Sequence, residues 1–197
     1  MRRLVLATAL VLGVVASAWA DYQEGFSAYM RGDYARALEA FLPLAREGHA
    51  EAQYTLGFMY AGGLGVPKRQ AAAASWYRRA AQQGHVKAQV NLGVLHQEGK
   101  GVERDYAEAV RWYRRAADQG SAKGQYALGS MYRKGLGVPR DYVQAHMWYN
   151  LAAAQNLGIA GEERAAVARK MTSLQVDKAE KLAAQWWRRQ QTPKAAQ

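Results

Sequence analysis

Every 36 residues this chain repeats one pattern, and that period limits the fold more than any single motif does. Residues 49–84, 85–120 and 121–156 align without an insertion or deletion. Leu56, Leu92 and Leu128 coincide, and so do Gly57, Gly93 and Gly129; Gly65, Gly101 and Gly137; and Val66, Val102 and Val138. Further along, Trp76, Trp112 and Trp148 coincide, each followed by a tyrosine, Tyr77, Tyr113 or Tyr149. These positions are what one architecture requires three times.

Each unit reads as two helices about a glycine loop. Ala52, Leu56 and Met59, and then Ala88, Leu92 and Leu95, stand at i, i+4, i+7 and form one face for burial. The run stops at GGLGVP, GKGVER or GLGVPR, where glycine enters the left-handed region without steric cost. The second helix starts at Asp105 or Asp141, paired with Glu108 and Gln144 in capping-box spacing. The first unit has Arg69 at that position, so a weaker helix start is predicted there. Trp76, Tyr77, Ala80 and Ala81 follow as a packing face of one large ring and two small residues. Burying such a ring is worth about 1.5–3 kcal/mol, so the tryptophans read as scaffold and not as a ladder for stacking a ligand.

The two ends depart from the period. Residues 1–20, MRRLVLATALVLGVVASAWA, have a basic start, an apolar run from Leu4 to Val15 and a small-x-small end at Ala18 and Ala20. That is the layout of a cleaved secretory signal, with the mature chain starting at Asp21. The run is too short for a membrane span of about 20 apolar residues. Residues 21–48 contain GDYARALEAFLPLAREG, which keeps an Asp33-Tyr34 helix start but lacks the long glycine loop. After Asn156 a helix is expected over 160–171, and a second, capped by Thr172 with Gln175, ends near Arg189. These helices, residues 157–191, close a stack that would otherwise leave an apolar face in water. Residues 192–197 read as a loose tail.

Composition narrows the chemistry. Cysteine is absent, which removes disulfides, thiolate metal sites and cysteine nucleophiles. From Asp21 onward, 25 basic residues face 16 acidic ones, a charge of about +9 that favours acidic partners. Of the four histidines, His49 and His85 occupy equivalent helix starts, and His96-Gln97-Glu98 lacks the i, i+4 spacing of a helical zinc site. No Ser-x-x-Lys occurs; the nearest arrangement, Ser130 with Arg133, has a guanidinium that cannot serve as a base. GGLGVPKR lacks the spacing of a phosphate loop. Arg78-Arg79 and Arg114-Arg115 fall near helix C-termini, where cations offset the dipole, a reading preferred to a nucleic-acid patch. No catalytic residue, cofactor, metal, nucleic acid or membrane span is expected.

The combination of helix, glycine loop, Trp-Tyr and double alanine in AEAQYTLGFMYAGGLGVPKRQAAAASWYRRAAQQG, residues 50–84, and in its two successors, resembles the Sel1-like repeat, a relative of the tetratricopeptide repeat. The resemblance implies an all-α fold, an α-α superhelix (solenoid) of antiparallel helix pairs, with residues 21–48 as a shortened tetratricopeptide-like first unit and a C-terminal cap. It further implies that first helices line a concave groove. On those helices the copies differ along a second stripe beside the buried one: Glu51, Thr55 and Phe58; Lys87, Asn91 and Val94; Lys123, Ala127 and Ser130. Ala61, Gln97 and Arg133 extend it. The sequence therefore points to a noncatalytic protein-interaction scaffold, periplasmic or secreted, holding an acidic or mixed peptide segment. The competing expectations are a cell-wall-active hydrolase, β-lactamase-like or directed at peptidoglycan, and an adaptor for envelope glycan.

Overall fold

Residues 19–191 are described by a computed structural model, and among them every regular element is a helix. The secretory signal and the tail predicted above fall mainly on residues 1–18 and 192–197, outside the described residues. The helices are α1 (residues 19–30), α2 (Tyr34–Arg46), α3 (Ala50–Gly62), α4 (Gln70–Gln82), α5 (Val86–Glu98), α6 (Tyr106–Asp118), α7 (Ala122–Lys134), α8 (Tyr142–Ala153), α9 (Gly158–Ala168) and α10 (Ser173–Gln191). They divide into two compact units. One runs to Ala88 and includes Lys100–Val102; the other comprises Gln89–Gly99 and everything from Glu103 onward.

In the first unit, the apolar face predicted for α3 meets α2 around Phe41, Leu44, Leu56 and Met59, and Tyr22 of α1 packs against Phe41 with ring centroids 5.3 Å apart. The second unit has its core around Tyr113, Leu128, Met131, Trp148 and Leu151, closed by Ala179, Ala183 and Trp186 of α10. Trp186 meets Trp148 edge to face at 6.3 Å. The cap thus covers the apolar face that the last repeat would expose.

Two glycines per repeat have separate physical causes. A Cβ at Gly57, Gly93 or Gly129 would lie 2.6, 2.6 or 2.9 Å from the ring of Tyr77, Tyr113 or Tyr149, so the tyrosine of each Trp-Tyr pair lies on the glycine of the preceding helix. In the loop, Gly101 has φ +71°, and a Cβ there would stand 2.2 Å from the Gln70 carbonyl carbon at the start of α4. Gly137 makes the same approach to Tyr106 at the start of α6. The period in the sequence records these backbone approaches.

The helix starts follow the sequence reading only in part. Asp105 Oδ1 accepts from Glu108 N at 2.9 Å and Asp141 Oδ1 from Gln144 N at 3.0 Å, while Arg69 makes no side-chain cap. The return half of the capping box is not used at Asp105 or Asp141, because their own N–H groups donate to His96 O and Tyr132 O across the glycine loop. Thr172 and Gln175 do form both halves, at 2.9 and 3.3 Å. Three glutamine pairs, each with an exposed donor and a buried acceptor, lie outside that sequence reading. Gln83, Gln119 and Gln155 donate to Gln53, Gln89 and Gln125 at 2.8, 2.8 and 2.9 Å, joining the end of each second helix to its own first helix. Gln53 also donates to Ala45 O and Gln125 to Ala117 O, so this interior polar group is bonded on both sides.

Candidate functional site

The varying stripe of the first repeat lies on α3. Phe58 remains 43% exposed and Phe26 of α1 40%. Together with Tyr29, Tyr54 and Thr55 they line an open hollow of about 160 Å³. Rings along α1 support one wall: Tyr22, Phe26 and Tyr29 stack in succession at 6.2 and 6.3 Å. The opposite wall is held by Tyr54, whose ring stacks on His85 at 4.5 Å. Thr55 is buried, and its hydroxyl donates to Glu51 O at 2.9 Å. It is floor to the hollow, not a side chain that reaches outward.

Next to the hollow, His85 Nδ1 accepts from Ala88 N at 3.1 Å, which leaves the proton on Nε2 facing Glu51 Oε2 at 3.2 Å. His85 therefore caps α5 and fixes Glu51 together, and His49 caps α3 in the same way through Ala52 N. Ser121 takes the equivalent place before α7. Lys87 is exposed beside His85 and Glu51. Of the candidate residues of this unit, Thr55 and Phe58 line the aromatic hollow, while Glu51 and Lys87 line a separate recess with His85, whose ring stacks on Tyr54.

The second unit has different chemistry at the equivalent places. Lys123 is exposed, while Asn91 and Ser130 are half-buried. Val94 packs partly against the core. Gln97 accepts from Tyr113 OH at 2.9 Å and is committed to the frame. Arg133 Nε lies 3.5 Å from Glu163 of α9. Arg133 and Ser130 both adjoin the Tyr149 hydroxyl, whose pKa burial pushes up. Where the first repeat presents Phe58, the third presents a hydroxyl beside a guanidinium.

Sequence reasoning overlooked Phe26 and Tyr29. Their signal was the aromatic spacing Tyr22, Phe26, Tyr29 ahead of the repeats, on one face of a helix. It also placed the arginine pairs too simply. Arg79 and Arg115 lie over the rings of Trp76 and Trp112, 4.7 and 4.5 Å from their centroids. Trp112 and Trp148 are buried, whereas Trp76 is half-buried beneath its arginine.

The family model for the Sel1 repeat matches residues 50–85, 86–121 and 122–157. The chain belongs to the Sel1 repeat family. Its fold class is accordingly the all-α repeat of antiparallel helix pairs seen in other Sel1 repeat proteins. A crystal structure of a protective antigen from uropathogenic Escherichia coli, displaying an SLR fold, is 39% identical with a TM-score of 0.76; the match covers 87% of this chain and 37% of that one. A Sel1 repeat protein from Oxalobacter formigenes is 34% identical with a TM-score of 0.69, covering 73% of this chain and 59% of that one. The chain therefore spans less than two thirds of either protein. No curated protein matches it. Sel1 repeat proteins are generally protein-interaction scaffolds and typically noncatalytic. Among the described residues no helix is long and apolar enough to cross a membrane.

Proposed function

We propose that this Sel1 repeat protein is a noncatalytic scaffold of the bacterial envelope, exported through residues 1–20, that holds an acidic or mixed segment of a partner protein. The observation that carries the reading is Phe58, exposed on α3 at the edge of the aromatic hollow. An apolar side chain of the partner enters the hollow, and Lys87 and Glu51 select the charges that flank it. Lys123, Asn91, Ser130 and Arg133 offer polar contacts on the second unit. The apolar centre supplies affinity, and the charged rim supplies choice of partner and rate of encounter.

A photoreactive phenylalanine analogue at position 58, irradiated in cells, tests this. The expected product is one discrete protein adduct, reduced by Lys87→Glu and by Lys123→Glu, and not formed from the same probe at exposed Glu103. Failure to form an adduct, or the same adduct from both positions, overturns the reading.

A further inference from the structure

Charge is unevenly distributed along the chain. Residues 21–48 contain five acidic and three basic residues, while residues 49–197 contain 11 acidic and 22 basic. The first hairpin is the acidic end of a basic protein. Between α1 and α2 lies a hollow of about 440 Å³ floored by Ala40, Pro43 and Leu44. Its rim is Asp21, Glu24, Glu39 and Glu47, and the one cation in the lining, Arg36, is bound to Glu24 at 2.9 Å. Pro43 adds to this polarity, since it has no N–H to give the Glu39 carbonyl its helical bond.

At the far end of the sequence, α10 buries Ala179, Ala183 and Trp186 and turns its other side to solvent. There Leu174 is 76% exposed, and with Lys178, Lys181 and Leu182 it borders a mainly apolar hollow of about 410 Å³. Asp177 is the single acid in that lining. A cap helix that only closed the stack would need no leucine so open to water. This face has an apolar middle and a basic rim, and the chain itself carries the complement.

We propose that the occupant is a second copy of the chain: α10 of one protomer docks on the α1–α2 hollow of the next. Leu174 of one copy is buried against Ala40, Pro43 and Leu44 of the other, and Lys178 and Lys181 face Glu39 and Glu47. The contact joins two different surfaces, so an assembled pair keeps one free end of each kind. It is independent of the hollow at Phe58, which stays open in the assembled form.

Sedimentation of the purified chain at increasing concentration tests this, with circular dichroism to confirm folding of each variant. The wild type is expected to associate, and more weakly as salt rises. Glu39→Lys with Glu47→Lys gives a monomer, and so does Lys178→Glu with Lys181→Glu; all four side chains are exposed. The chain carrying all four reversals associates again, because both faces have exchanged sign. Leu174→Ser weakens association and leaves its salt dependence in place. A wild type that stays monomeric overturns the proposal, including one that instead binds phosphatidylglycerol vesicles through α10. So does association that survives either pair of reversals, or a fourfold reversal that fails to restore it.

Discussion

In the first repeat the ring of Tyr77 lies across Gly57, and the open side of α3 presents Tyr54 and Phe58. In the third, Tyr149 lies across Gly129 in the same way, and α7 presents Tyr126, Ser130 and Arg133. The frame is identical, down to the glutamine pair that joins each first helix to the end of its second. What differs stands one position away from the frame on the same cylinder. Under the proposed function, stiffness and recognition fall to adjacent stripes of one helix, so that either can change without the other.

The comparison breaks most severely where the frame has no slack. Gly101→Ala puts a methyl group 2.2 Å from the Gln70 backbone at a left-handed position, and is expected to cost about 4 kcal/mol or more in denaturant unfolding. Gly120→Ala has φ +84° but open space around its Cβ, so only the left-handed penalty of about 1–2 kcal/mol is expected. Equal losses at the two sites would show that steric contact between helix and loop is not what fixes the period.

The recognition stripe should respond in the opposite sense. Phe58→Ala is expected to lower partner affinity about tenfold or more, about 1.4 kcal/mol, while the melting temperature hardly moves. A binding curve and a thermal melt on the same preparation decide it; a large drop in melting temperature would place Phe58 in the frame. A smaller difference is legible at the second helices. Asp105→Ala should cost about 1 kcal/mol and Arg69→Asp should gain a similar amount, since only the former start has a side-chain cap. Hydrogen exchange at the first turns of α4 and α6 measures both.

The smallest effect concerns pH. His146 occupies a position held by Ala74 and Val110 in the other repeats. It is buried with Nδ1 unpartnered, and burial followed by the charge of Arg164 lowers its pKa, against a weaker opposing pull from Glu180. The unfolded chain then takes the proton more readily. Stability is full above the unfolded value of about 6.5 and falls as pH drops below it toward the folded value. His146→Val should flatten that part of the curve in urea titrations at stepped pH.

The sequence alone determined the helix pairs, their glycine stops and the buried leucines, because a contact made three times leaves a period, and it marked the cap by the point where that period ends and a new capped helix start, Thr172 with Gln175, begins. It also marked the stripe where the copies diverge. Only the tertiary structure decided that Phe58 is joined by Phe26 and Tyr29 from outside the repeats, that Thr55 lies beneath them, and that Gln97 and Arg133 are engaged by Tyr113 and by Glu163. Those contacts occur once, and a contact made once has no repetition from which to be read.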